Sequence, residues 1–199
     1  MRRLLCRRAR FAIVSTVTFA DTVYQVIYFF LPAYLANMAP VVVVGRFEWL
    51  AGPIDGGRTW RGVRIFGDHK TWRGLVAGVV VGMIVFATQR ATYQLGYLRA
   101  LALIDYAAFD PWLPGFLLGL GTGVGDAVKS FFKRRVGIAP GASWLGFDQL
   151  DFMAGAYLFV AVLVVPPLGA VLAILPAIFL GSVVTTAIAY VFGLKRAWI

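Results

Sequence analysis

Long apolar stretches divide this chain, and most of its ionisable residues fall between them or at their edges. In hydrocarbon a backbone must satisfy its own polar groups, so such stretches are read as membrane helices of roughly 20 residues. Five are found: Phe11 to Leu35, Trp72 to Thr88, Pro111 to Val128, Asp148 to Val165 and Leu168 to Leu194. The fourth stops at Pro166-Pro167, and the fifth contains Pro176, where a kink is expected. The segment Tyr93 to Phe109 carries Arg99 and Asp105 and is expected to be an interfacial helix or loop. The composition agrees: 60% hydrophobic and 14% charged, against about a quarter charged in soluble domains. The expected fold is all-α, a polytopic membrane protein of about five transmembrane helices forming one integral membrane domain over residues 1–199.

Glycine recurs every four residues on the second stretch (Gly74, Gly78, Gly82) and on the third (Gly115, Gly119, Gly123). Small residues at that spacing let helix backbones approach closely, and packing is the reading given to them. The opening Met1 to Arg10, followed by an apolar run, has the outline of a signal peptide. There is no small-residue cleavage site, and the run contains Asp21, so a retained first span is expected. With five spans the termini lie on opposite sides. Of the 19 basic residues, twelve then share a side with the loops before the second span and after the third, and seven share the other. That imbalance puts the larger set in the cytoplasm and the N-terminus outside, although the five N-terminal arginines taken alone argue the reverse.

One cysteine (Cys6) and one histidine (His69) exclude an internal disulfide, a Cys/His zinc cluster and a credible Ser/His/Asp set. No Walker-type phosphate loop is present. A metal would have to be held by carboxylates, which favours Mg²⁺ or a similar hard ion.

Three polar runs carry the chemistry: Gly67 to Gly74, Gly125 to Arg135, and Asp148 to Asp151. If the third span continues as a helix, Asp126, Lys129, Ser130 and Lys133 share one face at i, i+3, i+4 and i+7. A carboxylate, two ammonium groups and a hydroxyl in one stripe suit a metal and the phosphates it bridges, and Arg134 or Arg135 adds a bidentate clamp. A basic collar at a membrane exit accounts for Lys133, Arg134 and Arg135 but not for Asp126, because acids at such depth are costly. Asp148 and Asp151 project from one face at the start of the fourth span, either as helix-capping acids or as partners for Mg²⁺. Asp68, Lys70, Thr71 and Arg73 precede the second span, with Asp68 a candidate cap. Pro32, Ala33, Asn37 and Pro40 mark the expected exit of the first span. There Asn37 either caps the helix or reaches a nucleotide. Phosphoryl or nucleotidyl transfer, which asks mainly for positioning and charge neutralisation, is the chemistry these parts fit.

At these residues the chain resembles the CDP-archaeol synthase family, archaeal membrane cytidylyltransferases related to bacterial CDP-diacylglycerol synthase. The matching pieces are Leu31 to Asn37, Pro53 to Arg58, Gly67 to Gly74, Gly125 to Arg135 and Asp148 to Phe152. Ser130, Lys133-Arg134, Pro140-Gly141 and Asp148 to Asp151 correspond to motifs of the bacterial relatives. The bacterial Lys-Asp pair and turn histidine are missing, which favours the ether-lipid branch. The resemblance implies that CTP and 2,3-bis-O-(geranylgeranyl)-sn-glycero-1-phosphate react with Mg²⁺ to give a CDP-activated archaeol and pyrophosphate. It implies Asp126 and Asp148 as metal ligands, with Asp151 and Asp68 in reserve. Lys129, Ser130, Lys133 and Arg134 would hold the triphosphate, and Lys70 and Thr71 a nucleotide or lipid phosphate. The rival reading is a small transporter or channel for an anionic solute, which would share the basic groove and the intramembrane acids.

Overall fold

The computed structural model describes residues 18–138, 144, 147 and 150–191. Among the described residues seven α-helices follow one another: α1 (Phe19–Phe29), α2 (Leu31–Val42), α3 (Trp72–Thr92), α4 (Gly96–Ala100), α5 (Leu113–Arg135), α6 (Asp151–Val160) and α7 (Leu168–Val191). The helical expectation holds, with one addition. The loop between α2 and α3 carries a short antiparallel hairpin, β1 (Thr59–Trp60) on β2 (Val63–Arg64). Its turn places Arg61 and Gly62 at positive φ, as a tight hairpin turn requires.

Asp21, unexpected in an apolar run, closes a capping box. Its carboxylate accepts from Thr18 N at 2.9 Å, and Thr18 Oγ1 accepts from Asp21 N at 3.2 Å. The residues before Thr18, including Cys6 and the expected start at Phe11, lie outside the described residues. The first span was expected to end near Leu35, but α1 and α2 continue with one break at Phe30 as an apolar run over Phe19–Val42. Neither proline ends it. Pro32 sits in the first turn of α2, where a missing N–H costs nothing. Pro40 frees the Ala36 carbonyl, which faces the bare Gly78 of α3; a Cβ there would stand 3.1 Å from it.

Phe19–Val42 and Trp72–Thr92 are each long and apolar enough to cross a membrane. The second outruns its expected end at Thr88 because its polar residues find partners. Thr88 and Thr92 hydroxyls donate back to Ile84 O and Thr88 O at 2.9 and 2.8 Å, and Gln89 Nε2 donates to Tyr28 O. The segment Tyr93 to Phe109 is α4 followed by a single 3₁₀ turn that buries Tyr106 among Tyr28, Phe86 and Tyr93. The fourth stretch falls short of expectation. Its helix α6 has ten residues and ends before the turn that leads to Pro166-Pro167; at 1.5 Å per residue it covers about half of a bilayer core. Asp148 and Gln149 lie outside the described residues, as do residues 192–199 and Pro140-Gly141.

Helix α5 occupies the centre, packed on α2, α3 and α6, while α1 packs on α7. Glycines allow the approach. A Cβ on Gly119 would stand 2.8 Å from both Gly78 O and Val79 Cα of α3, and one on Gly121 would meet Gly155 O of α6. The expected α5 repeat, Gly115, Gly119 and Gly123, therefore lines the α3–α5 contact together with Gly82, while Gly74 and Gly78 of α3 turn toward Pro40 and Ala36 of α2. A second set, Gly121, Gly125 and Gly155, lines the α5–α6 contact. Gly155→Ala is expected to destabilise the protein by about 1–3 kcal/mol, read as earlier thermal unfolding in detergent. Gly96→Ala, with open space at its Cβ, is expected to unfold with the unaltered protein.

Candidate active site

The loop from Val43 to Thr71 holds the first half of the site. Pro53 and Thr71 form an isolated antiparallel bridge, Ile54 N donates to Lys70 O at 2.7 Å, and Trp72 N donates to Gly52 O at 3.1 Å. The loop is thereby folded back on itself at the start of α3. Thr71, not Asp68, caps that helix, its Oγ1 accepting from Gly74 N at 3.2 Å. Asp68 is largely exposed and pairs with Arg64 at 2.6 Å, so its expected capping role goes to Thr71.

Helix α5 supplies the second half. Asp126, Lys129, Ser130 and Lys133 all lie on it, with Ser130 and Lys133 buried. Lys70 pairs with Asp126. Lys129 Nζ stands 3.1 Å from Asp126 Oδ1 and 2.8 Å from Asp151 Oδ2, the latter on the first residue of α6. Two carboxylates from two helices thus share one ammonium, and a second ammonium arrives from the loop. Buried or half-buried charges are tolerated only when paired in this way. Arg134 is half-buried on the same helix. Asp148 lies outside the described residues.

A cavity of 460 Å³ opens beside this cluster, within the size range of small-molecule sites. Asn37 of α2, His69, Lys70 and Thr71 of the loop, and Thr122 and Asp126 of α5 supply its polar wall. Asn37 sits inside α2 rather than at its end. Sequence reasoning passed over Thr122, which is 3% exposed and whose Oγ1 has no hydrogen-bond partner among the described residues. Its position one turn before Asp126 on the same helix was the available signal.

Asp55 lies in the matching piece Pro53 to Arg58, where the sequence assigns it no role. Its side chain is fully buried. Oδ1 accepts from Gly57 N at 3.0 Å and Arg64 Nη2 at 2.7 Å, and Oδ2 accepts from Phe66 N at 2.9 Å and Gly67 N at 3.1 Å. Burial alone would raise its pKa, but the Arg64 guanidinium and the three backbone N–H groups outweigh that and hold the carboxyl well below the usual range. Its place between Pro53 and Gly56-Gly57 was a turn signal.

Carboxylates and ammonium groups gathered at one end of an apolar helical bundle, beside a cavity of this size, define the class: a helical membrane protein with a polar, charged site at one end. Residues 19–199 match the family model described as CarS-like, CDP-archaeol synthase. The CDP-archaeol synthase of Pyrococcus furiosus is 41% identical over 154 residues, covering 77% of this chain and 84% of that protein. The one from Halorubrum lacusprofundi is 39% identical over 176 residues, covering 83% and 91%. A solved structure, described as an intramembrane enzyme for archaeal membrane lipids biosynthesis, superposes with a TM-score of 0.61 at 31% identity, covering 80% of this chain and 91% of that one. The chain belongs to the CDP-archaeol synthase family. The rival reading, a transporter of an anionic solute, finds no counterpart among these relatives.

Asp55 has a folded pKa below its unfolded value, so its contribution to stability is present above the unfolded pKa and fades as pH falls through the folded one. The melting-temperature gap between the unaltered protein and Asp55→Asn is therefore expected to stay constant from about pH 8 to about pH 5 and to narrow well below about pH 4. Thermal melts across that series check it.

Proposed function

We propose that this protein transfers a cytidylyl group from CTP to the phosphate of 2,3-bis-O-(geranylgeranyl)-sn-glycerol 1-phosphate, giving an unsaturated CDP-archaeol and pyrophosphate. The observation that carries the assignment of roles is the junction of Lys70, Asp126, Lys129 and Asp151 beside the cavity. A phosphate oxygen of the lipid attacks the α-phosphorus of CTP, and the bond from that phosphorus to the bridging β-oxygen breaks. The electron pair leaves with pyrophosphate. The lipid phosphate is already ionised at neutral pH, with a second pKa near about 6, so no strong general base is needed and His69 is given no such role.

Lys70 and Lys129 hold the phosphates of CTP and offset the charge that grows on the leaving group. Ser130, Lys133 and Arg134 extend the cationic stripe toward the loop, and Thr71 lines the same wall. Asn37 and Thr122 offer an amide and a hydroxyl to the nucleoside from the inner wall. The isoprenoid chains remain in the bilayer.

The donor set suits a hard divalent ion. Asp126 and Asp151 reach one ammonium from separate helices, and among the described residues no three His, Cys, Asp or Glu side chains gather. Two protein carboxylates, with phosphate oxygens and waters completing the shell, is the habit of Mg²⁺. Asp126 and Asp151 would hold it, with Asp148 as the further ligand its motif suggests. Bound there, such an ion supplies charge neutralisation for the departing pyrophosphate. The reading places the site at the cytoplasmic face of a multi-pass membrane domain, because the arginine- and lysine-rich loops share that end.

Purified protein given labelled CTP, the ether-lipid phosphate and Mg²⁺ is expected to release pyrophosphate and CDP-lipid in equal amounts, and omission of any one component should stop both. Pyrophosphate release without the lipid, or transfer to no lipid phosphate at all, would overturn the assignment. Asp126→Asn and Asp148→Asn are each expected to lower turnover by at least about 100-fold without unfolding in detergent. Lys133→Ala should weaken CTP binding more than lipid binding, as equilibrium binding of each ligand will show.

A further inference from the structure

Asp55 lies outside the cavity, is fully buried, and spends both carboxylate oxygens on four donors. An acid so committed has no lone pair left for a metal or a substrate. Its partners nevertheless converge on one residue of the site. Ile54, its chain neighbour, donates to Lys70 O, and Lys70 N donates to Gly67 O at 3.2 Å. Gly67 N is in turn bound by Asp55 Oδ2. Gly67 holds φ +97°, a backbone state open chiefly to glycine, so the strand of chain that delivers Lys70 is turned sharply at the point Asp55 grips.

The other side of the loop is fastened to α5. Arg135 Nη1 donates to Arg64 O and Ile65 O at 3.0 Å each, and its guanidinium lies 3.7 Å from the Phe131 ring centroid and 5.0 Å from that of Trp60. Arg64 then binds Asp55. A chain of contacts therefore runs from α5, through Arg135, Arg64 and Asp55, to the backbone of Lys70, and returns to α5 where Lys70 meets Asp126. A lysine has a long flexible stem, so the place of its ammonium depends on how firmly its backbone is held.

We propose that Asp55 is a positioning residue of this enzyme, which fixes the backbone on both sides of Lys70 and so sets the Lys70 ammonium against Asp126 at the phosphate site. The inference rests on the function proposed above for the part Lys70 plays, and its test separates the two. Competitive acetylation of the full-length protein, read by mass spectrometry, is expected to modify Lys70 at least about tenfold faster in Asp55→Asn, with Lys129 unchanged. In the transfer assay Asp55→Asn should cost about 10- to 100-fold when Lys70 is present, and less than about twofold in a Lys70→Ala background. A purely structural role would give the same penalty in both backgrounds.

Unchanged Lys70 labelling, or equal penalties with and without Lys70, would overturn the proposal. Faster labelling in a protein that makes no CDP-lipid at all would sink the enzymatic reading and leave the positioning intact. Should Asp55→Asn fail to fold, Arg64→Gln keeps the three backbone donors on Asp55 and should raise Lys70 labelling to a smaller extent; labelling at the unaltered rate there would equally overturn the proposal.

Discussion

Backbone contact between α5 and its two neighbours governs where everything else in this protein can stand. Gly119 lies against Gly78, and Gly115 against Gly82, so α5 and α3 run antiparallel in a fixed register. Counting one further turn toward the polar end brings Gly123 against Leu75 and then Asp126 beside Lys70. On its other side α5 meets α6 through Gly121 and Gly155, and Gly125 against the backbone of Asp151. That register puts the first acid of α6 beside Lys129. Three chain segments far apart in sequence reach one point because helices without side chains at their contact can sit only one way.

The charges at that point are paired. Among the described residues two ammonium groups face two carboxylates, all half-buried or deeper at the end of an apolar bundle. Paired charges are what a membrane protein can hold at such depth, since an isolated charge is costly there. On the function proposed above, the phosphates of the substrates bring negative charge that these lysines would accept, leaving the acids to a divalent ion, so that substrate and cation would suit the site together better than either does alone.

Much of this was legible in the sequence. Apolar length gave the helical membrane class, four-residue glycine spacing gave the packing face of α3 and α5, and the i, i+3, i+4, i+7 stripe followed from helix geometry. What failed had physical causes. Pro32 to Pro40 reads as the exit of a span because a single sequence does not show that Gly78 covers the carbonyl that Pro40 frees. Asp68 is a candidate cap of α3 by residue type, whereas Thr71 is nearer the first free N–H groups and takes that role. The α6 glycine that closes on α5 has no periodic partner in its own helix, so nothing in the pattern marked it. Asp55 and Thr122 escaped because their weight comes from burial and from partners distant in the chain, which spacing rules do not carry.

The described acids of this chain divide by what holds them. Asp21, Asp55, Asp105 and Asp110 accept from backbone N–H groups, as caps and turns do. Their oxygens are spent on chain geometry, and for Asp55 that geometry is the stretch of backbone that delivers Lys70. Glu48 and Asp68 lie toward the surface against arginines, where an ion pair adds little. Asp126 and Asp151 rest on lysine side chains. An ammonium on a four-carbon stem can move to a phosphate and be replaced by a cation, whereas a peptide N–H cannot leave. A carboxylate neutralised by a movable partner is one that can take part in a reaction, and these two lie at the meeting point of α5, α6 and the Lys70 loop.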